Sequence, residues 1–383
     1  MSAHAQADVS RALAAGALQG GGAFTERCHA QLREAVPGSR PFLTTSCTDA
    51  LEMATLIIGL NPGDEVVMPS WTFSSTANAV ALRGAVPVFV DIREDTLNID
   101  PVQAAAAVTP RTRALVCVHY AGVGCDMDTL VGLCRDRNIT LIEDAAQAFG
   151  ATWNGAPLGG FGDFGAFSFH ASKNVSCGEG GALHVNRADL VQRADLVWHK
   201  GTDRSRFDRG EVQRYEWCAL GSSFTPSEAT AALLSAQLAE AAAINRARRC
   251  AWAYYAELLE GAGSTAHLRL PHIPVEAGHN GHIFAIRTLD QDACERTLEA
   301  FRSHGIDART HYRPLHSSPA GRHYGRSRGR LPVTDAVTGT LIRLPLDAAI
   351  TRTEQEYVVE ILLGASRSAD RRARASAQGS SRA

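Results

Sequence analysis

The sequence lacks the features of several large protein classes. It has no long hydrophobic run, since stretches such as "LVCV" are far too short to cross a bilayer. Lys+Arg 38 against Asp+Glu 40 leaves a net charge of −2, which provides no basic field to hold nucleic acid or an anionic membrane. A basic region followed by an apolar signal core is also missing at the N-terminus. We therefore predict a cytoplasmic protein with neither a nucleic acid nor a membrane partner.

The cysteine pattern lacks the spacing of a disulfide framework or a zinc site. The nine cysteines are an odd number, and no two are spaced as CxxC. Scattered thiols of this kind are typical of reduced cysteines in a cytosolic protein. Two nucleotide-binding motifs are missing as well, because no GxGxxG follows the first strand and no GxxxxGK[ST] occurs. We predict no metal ion and no nucleotide site of these two kinds.

Seven short apolar runs alternate with helix-like segments between residues 41 and 186. The runs are "PFLTT", "DEVVMPS", "VPVFVDI", "RALVCVHY", "TLIEDAA", "FGAFSFH" and "GALHVN". The helical segments are "TDALEMATLIIGL", "STANAVALRG", "DPVQAAAAV" and "DMDTLVGLCRDRN". Runs that are apolar on both faces and separated by helices predict an α/β fold with a mainly parallel sheet covered on both sides. Ligands of such sheets bind at the carboxyl ends of the strands.

The second half of the chain predicts a smaller α+β domain. A long helical pattern begins near Thr225, the expected N-cap, with Glu228 completing a capping box, and it continues to Gly261. Strand candidates "HIFAIRT" and "LIRLPL" and the helices "QDACERTLEAFRSHG" and "RTEQEYVVEILLG" follow. The length of 383 residues allows two domains. We predict a large domain over residues 1–240, a small domain over 241–365 and a disordered basic tail over 366–383.

The segment "TSCTDALEMA" predicts an anion-binding turn. A strand ends in small polar residues, and a helix begins at about Thr48. The free N–H groups and the positive end of the helix dipole can hold a phosphate, with the Thr48 hydroxyl as an additional donor. Simple N-capping by Ser46 or Thr48 is the alternative, and for this segment alone it is favoured.

A buried acidic residue and a lysine follow two other strands. Asp144 ends the run "TLIEDAA", where an unpaired carboxylate costs several kcal/mol, so it requires a cationic or strongly donating partner. Gln147 shares its helical face. Lys173 follows "FGAFSFH" and precedes glycines that permit close backbone approach. Alone, Asp144 could cap a helix and Lys173 could be a solvated loop residue. Together with the turn at Thr48, they are the parts that a pyridoxal phosphate (PLP) enzyme needs.

Two further segments carry cationic groups that could meet a diphosphate. They are "HYRPLH", with His311, Tyr312, Arg313 and His316, and "HKGTDRSRF", with Arg204. A surface role is the favoured alternative for each of these residues taken singly.

With these motifs in place, the chain resembles the DegT/DnrJ/EryC1/StrS family of sugar aminotransferases, which have the PLP-dependent aspartate aminotransferase type I fold. The matching segments are "TSCTDALEMA", "GDEVVMPSWTFSSTANA", "VFVDI", "VHYAG", "IEDAAQAFG", "GAFSFHASKN", "GEGGAL" and "GSSF", over roughly residues 20–365. "SCTDALEMA", "HYAGVGCDMDT", "KGTDRSRFDRGEV" and "HYRPLHSSPAG" resemble the dTDP-4-amino-4,6-dideoxygalactose transaminase branch of that family.

The resemblance implies roles for individual residues. Lys173 would form the Schiff base with PLP, Asp144 would pair with the pyridine nitrogen and Gln147 would reach the ring hydroxyl. Phe73 would stack on the ring. The residues implied to hold the phosphate are Cys47, Thr48 and Ser168, together with Ser223 of a neighbouring subunit, where many relatives have an Asn in "GYNYR". His316, Tyr312 and Arg204 are the candidate substrate residues.

The implied reaction moves an amino group from L-glutamate to C4 of a dTDP-4-oxo-6-deoxyhexose, with pyridoxamine phosphate as the intermediate form of the cofactor. The resemblance also implies a homodimer with shared active sites. A 3-keto sugar nucleotide or a cyclitol is an alternative acceptor. Family members that dehydrate sugars have His in place of the lysine, so Lys173 argues against that class. A non-catalytic binding protein on this fold would be expected to lose Lys173 or Asp144, and the chain retains both.

Overall fold

The computed structural model describes residues 3–262 and 267–365. The helices are α1 Ala3–Ala15, α2 Ala23–Ala35, α3 Cys47–Ile58, α4 Ser74–Ala81, α5 Pro101–Ala107, α6 Met127–Arg137, α7 Val191–Trp198, α8 Arg204–Asp208, α9 Glu228–Gly261, α10 Gln291–Ser303, α11 Pro319–Tyr324, α12 Pro332–Thr338 and α13 over 352–365. The strands are β1 Arg40–Thr44, β2 Glu65–Pro69, β3 Val86–Val90, β4 Thr112–Val118, β5 Thr140–Asp144, β6 Thr152–Trp153, β7 Ala156–Pro157, β8 Phe164–Ser168, β9 Gly181–Val185, β10 Leu268–Arg269, β11 Ala277–Gly278, β12 Phe284–Thr288, β13 Arg326–Ser327 and β14 Leu341–Leu344.

The main sheet has eight strands in the described residues, in the order β1-β9-β8-β5-β4-β2-β3-β13. The strands from β8 to β13 in that order pair in parallel, whereas β9 pairs antiparallel with both β8 and β1. Separate hydrophobic clusters cover the two faces, one packed with α2, α5 and α6 and the other with α3 and α7. The predicted α/β class with a mostly parallel mixed sheet is confirmed.

All seven apolar runs between residues 41 and 186 form strands of this sheet, and the four helical segments between them form α3, α4, α5 and α6. All seven strands are buried along almost their whole length, which explains why their sequences are continuous apolar runs rather than alternating ones. The edge strand β13 escaped prediction because its two residues, Arg326 and Ser327, are exposed and polar.

A second sheet has the order β10-β12-β14 and packs against α9, α10 and α13 through a cluster that includes Tyr255, Phe284 and Phe301. The two strands and two helices predicted for this part of the chain are present. The division at residue 240 stays a prediction, since α9 runs through it without interruption. The expected tail over 366–383 lies outside the described residues.

The start of α9 differs from the prediction. Its N-cap is Ser227, whose side chain accepts from the Thr230 N–H, and the helix begins at Glu228. Thr225 is therefore not the cap, and Glu228 does not complete a capping box. Its carboxylate instead accepts hydrogen bonds at the N-terminus of α2 from the N–H groups of Gly22, Phe24 and Thr25 and from the Thr25 hydroxyl. One helix thus caps another across 203 positions of sequence.

Among the described helices, none is long and apolar enough to cross a membrane.

Replacing Glu228 by Ala should destabilise the protein. Its carboxylate is 4% exposed, so removal leaves the three N–H groups of α2 without their charged acceptor. We expect the free energy of unfolding to fall by about 2 to 4 kcal/mol, measured by urea denaturation. Glu257→Ala, an exposed change on the same helix, should alter it by less than about 0.5 kcal/mol. Equal effects of the two variants would contradict the capping role.

Candidate functional site

A cavity of about 560 Å³ lies at the carboxyl edge of the main sheet. Eight of the predicted site residues line it: Cys47, Thr48, Phe73, Asp144, Gln147, Ser168, Lys173 and Tyr312. They are distant in sequence, and the structure brings them to a single pocket. The pocket also follows the rule that ligands of parallel sheets bind beyond the carboxyl ends of the strands.

Strand direction explains this convergence. Asp144 and Ser168 end β5 and β8, which are parallel neighbours. The strand β1 runs in the same direction as β8, because both are antiparallel to β9. The turn after β1, which leads into Cys47, therefore lies at the same edge as Asp144 and Ser168.

The turn between β1 and α3 has the geometry of an anion site. Ser46 is the N-cap, and its hydroxyl accepts from the Asp49 N–H at 3.0 Å. Capping is thus done by Ser46, which frees Thr48 to face the cavity with its hydroxyl 2.7 Å from that of Ser75. A Cβ added at Gly181 would lie 2.3 Å from the Ser46 carbonyl carbon. Only glycine lets β9 approach the turn so closely, which confirms at Gly181 the close backbone approach predicted for the glycines after Lys173.

Asp144 is 5% exposed at the end of β5. Its Oδ2 accepts from the Thr76 hydroxyl at 2.8 Å, and its Oδ1 accepts from the Ala146 N–H at 3.2 Å. Burial raises the pKa of Asp144, and these hydrogen bonds and the positive charge of Lys173 oppose that rise. No Lys, Arg or His among the described residues lies within ion-pair distance of the carboxylate. Its negative charge is therefore open to a cationic group in the cavity.

Lys173 lies in the turn after β8, where its N–H donates to the His170 carbonyl at 2.9 Å. Loss of hydration lowers the pKa of Lys173, which makes its amine a better nucleophile near neutral pH. Its neighbour Asn174 donates to Asn245 of α9 at 2.9 Å and to the Asn280 carbonyl at 3.0 Å. These bonds fix the backbone of the turn, so the lysine side chain is presented to the cavity from a held position.

Gln147 and Tyr312 form one wall of the cavity. The side-chain oxygen Oε1 of Gln147 accepts from the Ala121 N–H, and the side-chain nitrogen Nε2 donates to the Tyr312 hydroxyl, both at 2.7 Å. The Tyr312 ring stacks on His311 with centroids 3.8 Å apart, and the Phe73 ring is tilted against Tyr312 with centroids 6.4 Å apart. Burial lowers the pKa of His311 to about 2, so this side chain is neutral. It does not supply the positive charge that the sequence predicted for it.

Three predicted site residues do not line this cavity. Ser223 is exposed. His316 is held by two other residues, with Nδ1 at 2.7 Å from the Ser70 hydroxyl and Nε2 at 3.3 Å from the Asp335 carboxylate. Arg204 pairs with Asp208 at 3.6 Å on α8. Ser223 was expected to act in a neighbouring subunit, and a single chain leaves that role a prediction.

The sequence prediction missed three hydroxyl residues. Thr72 and Ser75 line the cavity, and the Thr76 hydroxyl donates to Asp144. Hydroxyl residues after a strand resemble ordinary turn residues, so nothing in the pattern separated them from their neighbours. For Lys173 the composition offered a further signal, because lysine is rare in this sequence. The chain contains only two lysines, Lys173 and Lys200, although it contains 38 residues of Lys and Arg together.

Cys117, His119 and Cys125 are the group of possible metal ligands found within the described residues. The two nitrogens of His119 are already engaged: Nδ1 accepts from the Cys125 N–H at 3.2 Å, and Nε2 lies 2.9 Å from Glu143. The Cys125 thiol donates to the Val118 carbonyl at 3.2 Å. Hydrogen bonds thus account for this buried cluster as part of the core.

Comparison with protein families gives one match over almost the whole chain. Residues 1–363 match the model of the DegT/DnrJ/EryC1/StrS aminotransferase family. The chain belongs to this family. The predicted resemblance to this family and the predicted enzyme class, a PLP-dependent transaminase, are confirmed, while the resemblance to one branch of the family stays a prediction.

Relatives of known name are similar in sequence and in structure. GDP-perosamine synthase of Caulobacter vibrioides is 32% identical over 82% of each chain. A dTDP-3-amino-3,4,6-trideoxy-alpha-D-glucose transaminase of Streptomyces venezuelae is 35% identical over 82% of this chain and 79% of the relative. The crystal structure of the aminotransferase TlmJ from Streptoalloteichus hindustanus has a TM-score of 0.87 at 29% identity and covers 97% of this chain and 98% of its own.

The residues of the cavity fit the cofactor of the DegT/DnrJ/EryC1/StrS family. Asp144 offers a buried carboxylate to a protonated ring nitrogen, and the α3 N-terminus with Thr48 and Ser75 offers donors to a phosphate. The close approach at Gly181 shapes that turn. Lys173 is an amine of lowered pKa in the same cavity. Both ends of the cofactor and its aldehyde thus have partners of suitable chemistry.

The two lysines permit a direct test of the assigned nucleophile. After incubation with PLP and reduction with borohydride, peptide mass spectrometry should find the pyridoxyl group on Lys173. Lys200 is exposed and serves as the internal control. We expect at least about tenfold more label on Lys173, because its lowered pKa leaves more free amine. Equal labelling of the two lysines would contradict the assignment.

Proposed function

We propose that this aminotransferase acts on sugar nucleotides and moves an amino group from L-glutamate to C4 of a dTDP-4-oxo-6-deoxyhexose. The observation that carries the chemistry is the meeting of Lys173, Asp144 and the α3 N-terminus in one cavity. Two named relatives support a sugar nucleotide as acceptor, since their names contain a GDP sugar and a dTDP amino sugar. The choice of C4 and dTDP rests on the segments that resemble the dTDP-4-amino-4,6-dideoxygalactose transaminases.

PLP, when bound, supplies an aldehyde that carries the amino group and a ring that accepts electrons. Lys173 would move a proton from Cα of the amino donor to the cofactor carbon that keeps the amino group, and in the second half-reaction from that carbon to the acceptor carbon, a task suited to its lowered pKa. Asp144 holds a negative charge at the ring nitrogen. Gln147, fixed by the Ala121 N–H, orients the hydroxyl edge of the ring. The turn at Thr48 and the Ser168 hydroxyl anchor the phosphate.

The acceptor position has a second candidate. The Streptomyces venezuelae relative, at 35% identity, is named for a 3-amino sugar, which favours a 3-keto sugar nucleotide as the alternative acceptor. A cyclitol acceptor and a non-catalytic binding role are less well supported. The binding role in particular leaves the retained lysine and its lowered pKa without use.

A product analysis separates these possibilities. With ¹⁵N-labelled L-glutamate and dTDP-4-oxo-6-deoxyglucose, NMR of the product should show ¹⁵N bonded to C4 of the sugar. Incorporation only with the 3-oxo isomer would replace our proposal by the second candidate. Lys173→Ala should lower turnover by about 100 to 10,000-fold, because a positioned proton carrier is lost. Lys200→Ala is the matched control and should keep turnover within about twofold.

We also propose a homodimer in which Ser223 contributes to the site of the other subunit. Large apolar side chains are exposed on the segment before it: Phe207 at 41%, Tyr215 at 48%, Trp217 at 76% and Leu220 at 59%. A second copy that covers this segment would remove these side chains from water. This support is independent of the cofactor chemistry.

Sedimentation velocity of the holoenzyme should therefore give the mass of a dimer. Trp217→Asp should raise the dimer dissociation constant by at least about tenfold, because it places a charge in an apolar contact. Val275→Asp is the control, since Val275 is 97% exposed outside this segment. A fully active monomer, or equal effects of the two substitutions, would contradict the proposed interface.

A further inference from the structure

We propose that Thr72 and Thr76 form a hydroxyl relay that positions the Asp144 carboxylate for the cofactor ring, with Thr76 as the residue that contacts the carboxylate. The inference rests on the proposed function of Asp144 and extends it to two residues that are linked to its carboxylate by hydrogen bonds. They are positioning residues, since they act through Asp144.

The relay is short, and its three side chains are buried. The Thr72 hydroxyl lies 2.8 Å from that of Thr76, and the Thr76 hydroxyl lies 2.8 Å from Asp144 Oδ2. The exposed fractions of Thr72, Thr76 and Asp144 are 1%, 1% and 5%.

The number of protons fixes the direction of the relay. A hydroxyl has one proton to donate, and an ionised carboxylate only accepts. The proton of Thr76 is used on Asp144, so the contact between the two threonines must be a donation from Thr72 to Thr76. This second bond holds the Thr76 hydroxyl in the rotamer that donates to the carboxylate. Thr72 therefore affects Asp144 indirectly, through Thr76.

The local helix provides no other explanation for Thr72. Thr72 lies just before the N-cap Phe73 of α4, so it is not at the position whose side chain normally caps a helix. Its hydroxyl contacts the Thr76 hydroxyl. Residues 72–76 therefore supply Phe73, which lines the cavity, and the two hydroxyls that are hydrogen-bonded to each other and to Asp144.

The relay helps to keep the buried Asp144 carboxylate ionised. Burial raises the pKa of Asp144, which favours the neutral acid, and the bond from Thr76 is the largest opposing contribution. An ionised carboxylate is needed to pair with a protonated ring nitrogen. The relay also occupies Oδ2, while Oδ1 accepts a longer bond of 3.2 Å from the Ala146 N–H. Thr76 thus favours both the charge and the orientation of the carboxylate.

The test measures cofactor binding instead of activity. Apoenzyme is titrated with PLP, and the dissociation constant is taken from the visible absorbance band. We expect Thr76→Val to raise it about 10 to 100-fold, as for loss of a hydrogen bond to a buried charge. Thr72→Val should raise it by a smaller factor, about threefold to tenfold, because Thr76 still donates from a less restricted rotamer. Thr76→Ser retains the hydroxyl and should stay within about threefold of wild type.

A matched control accounts for the loss of a buried threonine as such. Thr297 is 3% exposed on α10, and its hydroxyl donates to the Ala293 carbonyl. Thr297→Val should leave PLP binding unchanged. The pH midpoint of the visible band should shift in Thr76→Val and Thr72→Val, and remain at the wild-type value in Thr76→Ser and Thr297→Val.

The outcomes are distinct. A wild-type band with wild-type affinity and pH midpoint in Thr76→Val overturns the relay alone. Weakened binding in Thr76→Ser equal to that in Thr76→Val also overturns it, because the methyl group and not the hydroxyl would then matter. Absence of the band in wild-type protein contradicts the proposed function, and the relay fails with it. If Thr76→Val does not fold, Thr72→Val and Thr76→Ser decide the question. Wild-type PLP affinity and pH midpoint in Thr72→Val, or weaker binding in Thr76→Ser than in Thr72→Val, would then overturn the relay.

Discussion

Two adjacent carboxylates at the end of a buried strand impose the constraint on which the site depends. Glu143 and Asp144 close β5 with exposed fractions of 0% and 5%. Successive side chains of a strand point to opposite faces, so each carboxylate needs its own set of partners. An unpartnered buried carboxylate costs several kcal/mol by typical estimates. The strand is therefore stable only if the surroundings of both residues supply donors or positive charge.

The fold meets this requirement differently on the two faces. Glu143 accepts from the N–H groups of Gly159, Phe161 and Gly162 at 2.7 Å each, and His119 lies 2.9 Å away. The protein alone satisfies it. Asp144 has the Thr76 hydroxyl and one longer bond, and it faces the cavity. Its remaining hydrogen-bonding capacity is open to a cationic ligand, so Glu143 has a structural role and the adjacent Asp144 is available for the role that we propose.

The sequence predicted the parts of the site that follow from strand order, and it failed where tertiary packing decides. The ends of buried strands are visible as the ends of apolar runs, so Asp144, Lys173 and the turn at Thr48 were identifiable as one group, whereas Ser168 was assigned only through the family resemblance. The neutral state of His311 was not, because it depends on burial among rings from distant segments. Glu228 was misassigned for a similar reason: its local spacing fits a capping box, but its partners lie 203 or more positions away.

Sheet register is what converts these separate segments into a fixed geometry. Thr44, Gly181 and Ser168 are paired across three adjacent strands, and the missing side chain of Gly181 admits the turn at Ser46. The loop that carries Lys173 continues this pairing, since Phe169 donates to the Gly180 carbonyl and Ala171 to the Gly178 carbonyl, both at 2.8 Å. A slip by one residue would turn Ser168 to the opposite face of the sheet and set a side chain against the turn. The position of Lys173 relative to the turn at Ser46 is thus set by backbone pairing, which holds a loop residue in the fixed position that its proposed role requires.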